Sequence, residues 1–192
     1  MSTLDLSADS KRKPTEVITD LALSDDAVEI MPDCANTLSF LNRLCDEELF
    51  HDAFVTLARV LPRHYAIIWG DRCLEYGSTD EVTDGEQHCI NMAQQWIRNP
   101  DENLRRASLD AAEAIEFDGP YAWLAAAVGF NGGSLAPRDL EEVPPPEHLT
   151  AVAIAAFLVM LTAKDPDTMA ETSRKMIQTG LDMVAIPGGG SS

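Results

Sequence analysis

Between residues 144 and 164 the chain reads PPPEHLTAVAIAAFLVMLTAK. The three prolines, Pro144, Pro145 and Pro146, cannot extend a helix backwards, so the segment before them is an extended, stiff connector. After Glu147, His148, Leu149 and Thr150 comes an unbroken apolar run from Ala151 to Leu161. A helix that is apolar all round is buried, in a protein core or in a bilayer. Spanning a bilayer takes about 20 apolar residues, whereas runs of roughly 10–14 are typical of core helices. The stretch from Thr150 to Ala163 is therefore read as the buried central helix of a helical domain.

Other helices follow on either side. Lys164, Asp165, Pro166 and Asp167 form a turn and a new cap. A last helix from Pro166 to about Met183 then puts Met169, Ser173, Met176, Ile177, Gly180 and Leu181 on its inner side. Upstream, residues 135–146 form an irregular connector carrying Arg138, Asp139, Glu141 and Glu142. Before it, Asn131, Gly132, Gly133 and Ser134 stop a helix opened by Asp118, Gly119 and Pro120. Asn99-Pro100-Asp101-Glu102 reads as a cap, a proline at the first helical position and acids in the first turn. Asp84 and Gln87 suggest a capping box for the preceding helix. A further helix is expected from Arg63 to Tyr76, after Pro62. Asp46 is expected to cap another, with Glu47 and Glu48 in its first turn and Leu49, Ala53, Leu57, Val60 and Leu61 on its buried stripe. Leu38, Leu41, Leu44 and Cys45 recur at helical spacing before that. No stretch alternates as a strand would. The reading is all-α: a single domain over residues 34–186, with seven or eight antiparallel helices around the central one.

Residues 1–33 have another character. They are rich in Ser, Thr and Asp, and their apolar residues are scattered. Such composition buries too little surface to offset ordering entropy, so a flexible acidic arm is expected. Val17, Ile18, Leu21, Leu23, Val28, Ile30 and Met31 are its candidates for docking on the domain or on a partner. Residues 187–192, Pro-Gly-Gly-Gly-Ser-Ser, read as a flexible Gly/Ser end.

Aspartate and glutamate number 32 against 14 lysine and arginine, a formal charge of −18. That disfavours nucleic acid, which needs a basic footprint, and it disfavours anionic membrane surfaces. It suits a soluble protein, or one that meets a basic partner. The first 20 residues lack the apolar core of a secretory signal. The four cysteines, Cys34, Cys45, Cys73 and Cys89, are far apart and make no CxxC pair, which fits reduced core thiols in the cytoplasm.

The motifs that carry chemistry are thin. Glu48 and His51 form a single E-x-x-H pair, where a di-iron bundle needs two. His88 and Cys89 are adjacent, and neighbours on a helix diverge by about 100°, which fits zinc poorly. No P-loop and no G-x-S-x-G elbow occurs. Gly129, Gly132 and Gly133 read as a helix end. No catalytic, cofactor or metal residues are assigned, and no enzyme activity is expected. Two groups are candidates for interaction. Arg63 and Tyr65 follow Pro62 beside His64 and Trp69, and Arg and Tyr are frequent in binding hot spots. Arg138, Glu141 and Glu142 lie on the long connector, where function tends to collect.

Several segments together resemble a known family. They are Leu57-Ala58-Arg59-Val60-Leu61-Pro62-Arg63, then Trp69, then Asn103 through Ala114 with Arg105 and Arg106. Gly132-Gly133-Ser134-Leu135-Ala136-Pro137 and Pro144-Pro145-Pro146-Glu147-His148-Leu149-Thr150-Ala151 complete the set. This resembles an uncharacterised bacterial family of about this length, often encoded near type VI secretion genes, with the match running from Leu38 to Leu181. The resemblance carries no catalytic residues. It implies a cytoplasmic adaptor or chaperone-like accessory of a secretion apparatus, acting by protein–protein binding. An acidic immunity protein that neutralises a basic toxic effector is the alternative.

Overall fold

The apolar run forms the helix Leu149–Thr162, which is α10 in a computed structural model that describes residues 8–77 and 82–185. Seven other helices of ten residues or more surround it among the described residues. They are α4 (Thr37–Asp46), α5 (Phe50–Val60), α6 (Arg63–Cys73), α7 (Asp84–Arg98), α8 (Glu102–Ala114), α9 (Pro120–Gly129) and α11 (Met169–Ala185). Three short ones, α1 (Ala8–Lys11), α2 (Pro14–Val17) and α3 (Asp25–Ile30), precede them. There is no strand among the described residues. The all-α, single-domain expectation is met.

α10 packs against α5, α6, α9 and α11. Ile154, Phe157 and Leu158 are fully enclosed, while Val152 is 39% exposed and Ala156, Val159 and Met160 on the same side are half-buried, so apolar neighbours cover the helix on all but one stripe. α9 is the second helix of this kind. Ala122, Leu124, Ala125, Ala126, Ala127 and Val128 are all buried between α7, α8 and α10. Its small side chains let α10 lie close. α11 comes equally close to α5 and α6 at Gly180, where a Cβ would fall 2.7 Å from Leu57 and 2.9 Å from the Trp69 ring. Trp69 is buried there, and its indole N–H donates to the Met176 carbonyl at 2.8 Å. A buried indole needs such a partner.

The helix ends differ from expectation in four places, each for a local reason. Asp46 is the last residue of α4 and not a cap. The amide of Leu49 donates to the Leu44 carbonyl and that of Glu48 to Cys45, with Glu48 left-handed at φ 58°. This is a Schellman-type stop, so α5 begins only at Phe50. α7 is capped by Thr83, whose hydroxyl accepts from the Glu86 amide while the Glu86 carboxylate accepts from the Thr83 amide. The capping box therefore lies one residue before the expected one. Asp101 caps α8, accepting from the amides of Asn103 and Leu104, and Pro100 stays outside the helix. α11 starts at Met169, after a turn in which Asp165 accepts from the Thr168 hydroxyl at 2.6 Å.

The expected flexible arm also looks different from Ala8 onward; residues 1–7 and 187–192 lie outside the described residues. Residues 8–33 lie along the domain, with Val17, Ile18 and Ala27 buried. Arg12 offers its carbonyl to the amide and hydroxyl of Thr37, at 2.8 and 2.9 Å. Leu21, Leu23, Ile30 and Met31 pack half-buried against the core as well, so the scattered apolar residues dock on the domain and polar contacts add to them. Val28, by contrast, remains 53% exposed.

Leu158→Asp should abolish cooperative unfolding, because an unpaired charge buried in α10 costs several kcal/mol and total stability is about 5–15. A thermal melt by circular dichroism checks this. An unchanged midpoint would contradict the enclosed-helix architecture.

Candidate interaction site

α8 carries Glu102, Arg105 and Arg106 on two successive turns, facing the connector that follows α9. Arg105 is 3% exposed. Its guanidinium donates to both carboxylate oxygens of Glu102, at 2.6 and 2.8 Å, to the Ser134 carbonyl at 2.8 Å, and to the carbonyl of Gly129 at the end of α9. Arg106 donates to Glu102 at 2.7 Å and to the Ala136 carbonyl at 2.9 Å. Gly133 makes room for this arrangement. It sits at φ +63°, and a Cβ there would lie 2.8 Å from the Arg105 Nε.

The two arginines fix the base of the loop from outside, and Ser134 closes it from inside. The Ser134 hydroxyl oxygen accepts from the amides of Ala136 and Val143, at 3.1 and 2.9 Å. The Leu135 amide donates to the Val143 carbonyl at 2.8 Å. Residues 134–143 thus leave and return to nearly the same place, as an Ω-loop does. Arg138 donates to the Asn103 side chain and ties the loop to the start of α8. Leu140 is 61% and Val143 53% exposed, beside exposed Asp139, Glu141 and Glu142. A cleft of about 360 Å³ opens between loop and helix, lined by Glu102, Arg106, Gly133, Pro137, Leu140 and Glu142, among others.

The five residues singled out in the sequence do not come together. Arg138 and Glu142 line this cleft, and Glu141 is exposed between Leu140 and Glu142 on the same loop. Arg63 lines a different groove of about 300 Å³, formed by the α5–α6 corner with Glu147 and Ala151. Tyr65 lines neither; His64 packs edge-on against its ring at 5.8 Å and against Trp96 at 5.2 Å. The connector runs from one cavity to the other, from Ser134 to Glu147. Arg105 escaped the sequence reading, although a signal was present. It shares the inner stripe of α8 with Ser108 and Ala112, and a cation on a buried stripe implies a paired partner.

Among the described residues no group of three or more His, Cys, Asp or Glu side chains could hold a metal ion. Glu48 pairs with Arg174 at 2.8 Å, while His51 turns to Asp52. Burial pushes the Cys89 thiol up to about 11, and it raises Cys73 further, the opposite of what a nucleophilic thiol needs. No helix among the described residues is long and apolar enough to cross a membrane.

A family of unknown function (DUF6931) matches residues 40–184. The chain belongs to that family. No curated protein and no solved structure matches it.

The hydrogen bond from Arg105, opposed by desolvation and reinforced by Arg106, lowers the Glu102 carboxyl from the ordinary 4.5 to about 2. A depressed folded value means stability that is full above pH 4.5 and is lost as the pH falls toward 2. Glu102→Gln should therefore flatten the fall of the urea midpoint between those two pH values. Because Glu102 is 46% exposed, solvent screening keeps the effect modest. Arg105→Ala should cost more, on the order of 1–3 kcal/mol, since it leaves the buried carbonyls of Gly129 and Ser134 without their donor. A midpoint loss no larger than that of an exposed-residue control would rule out the clamp.

Proposed function

We propose that the chain is a non-enzymatic, cytoplasmic adaptor or chaperone-like accessory that binds a basic protein partner through the connector loop. The exposed pair Leu140 and Val143 carries this reading. Apolar side chains held in solvent by a clamped loop, surrounded by Asp139, Glu141 and Glu142, offer anchors within a field that attracts a cationic surface. Holding the loop rigid before contact lowers the ordering cost of binding. Placement beside a type VI secretion apparatus is supported by the family resemblance described above. The −18 charge supports a second reading, an immunity protein whose carboxylates fill the cationic site of a toxic effector.

Affinity capture from the native cell, followed by identification of the bound protein, separates a secretion component or cargo from a toxin. With the partner in hand, Glu141→Gln with Glu142→Gln should slow association and flatten its salt dependence while dissociation changes little, because rim charges act on encounter. Leu140→Ser with Val143→Ser should instead raise the dissociation rate, by about tenfold or more if these are the anchors. Surface plasmon resonance at two salt concentrations reads both. Rates indifferent to all four substitutions would place the binding surface elsewhere.

A further inference from the structure

The groove at the α5–α6 corner has an occupant of its own beside it. Asp20 of the arm accepts from Arg59 Nε at 3.2 Å and lies 3.7 Å from Nδ1 of His148, the residue before α10. Four residues on, Ser24 caps α3. Its amide and hydroxyl donate to the two oxygens of Asp52 on α5, at 2.9 and 2.8 Å. Asp52 is 3% exposed, a buried carboxylate satisfied from outside the domain. The receiving surface thus presents the Arg59 guanidinium, with the His148 ring beside it, and a buried acceptor that asks for N–H and O–H donors. Arg63 stands at the same groove with no ion pair to any described residue.

We propose that this surface is a docking site for an acidic, hydroxyl-capped segment of a partner protein, and that the arm's Asp20–Ser24 stretch holds it closed as a stand-in. The proposal is independent of the connector reading. Two features say that the stand-in is detachable. Its helices have four, four and six residues, too few to persist without the surface they lie on. What holds it is mixed: Asp20, Ser24 and the Arg12 carbonyl make polar contacts, while Val17, Ile18 and Ala27 are buried and Leu21, Leu23, Ile30 and Met31 pack half-buried against the core. The family match begins at Phe40, beyond the arm, so the domain that defines the family is the receiving surface without its cover. On an acidic chain an acidic ligand must be held by local complementarity, and Arg59 and Arg63 provide it.

The test uses the full chain with Asp20→Asn and Ser24→Ala together, which unfastens the arm and leaves Asp52, Arg59 and His148 untouched. The probe is a fluorescent synthetic peptide with the sequence of residues 14–27. Anisotropy should show the peptide binding this variant at least tenfold more tightly than the unaltered chain. Arg59→Ala in the variant, or Asn and Ala at the same two places in the peptide, should remove the gain. Hydrogen exchange on the same variant should show the arm amides exchanging at least tenfold faster while those of α9 and α10 keep their protection. Equal binding to both chains, no binding, or arm and core losing protection together would overturn the proposal. Arm protection in the unaltered chain that rises with protein concentration would mean that a second copy fills the site, and would overturn the intramolecular reading.

Discussion

α10 has no polar face to turn to water: from Ala151 to Leu161 every side chain is apolar. The rest of the chain must therefore wrap it, and α5, α6, α9 and α11 do so on every side but the stripe of Val152, Ala156, Val159 and Met160. This enclosure sets a second demand. A helix on one flank of α10 is itself covered by other helices, and α9 answers with alanines that pack closely and leave no polar group to satisfy. Fully apolar helices at the centre and amphipathic ones outside are the consequence. The connector then has nowhere to run except across the surface, from the end of α9 to the start of α10.

That path explains why an irregular segment is held so firmly. A surface loop is ordinarily free to move, but here a buried guanidinium reads its backbone. Arg105 brings a charge into the protein, and the cost of that burial is offset because the Glu102 carboxylate and two carbonyls surround it. The clamp leaves the outer part of the loop free to display Leu140 and Val143. At the other end of the connector His148 lies within reach of Asp20, so the arm and the connector meet at the beginning of the same helix. The two surfaces with binding chemistry are thus joined by one strand of backbone, although their side chains are separate.

Asp52 shows the same logic on a smaller scale. Burial alone would raise its carboxyl, but the His51 imidazole 3.9 Å away and the two hydrogen bonds from Ser24 outweigh it and the value falls. His51 is raised in turn, chiefly by the Asp52 carboxylate beside it. A carboxylate placed on an inner helix stripe is stable only if something brings donors to it, and here a segment distant in sequence does.

Hydrophobic patterning, with the cap and proline signals between its segments, determined the class of the fold, the existence of each long helix and the central place of α10, because the pattern shows which side chains must leave water. The sequence also marked the connector, since three prolines forbid a helix whatever surrounds them. Helix ends were legible only to within a few residues. Asp46, Thr83 and Asp101 take roles that depend on which nearby amide or carboxylate wins a local competition. The site was legible in part. Leu140, Glu141 and Glu142 sit on a loop that any reading would place outside, but Arg105 looked like one basic residue among 14 until the end of α9 and the glycines after it were laid against α8. The arm was decided entirely by tertiary structure. Asp20 and Ser24 have the composition of a solvated tail, and within the arm Ser24 does no more than cap the Ala27 amide. Their partners, Asp52, Arg59 and His148, are 28, 39 and 128 residues away, and only the packing of α5 against α10 brings those partners to one face.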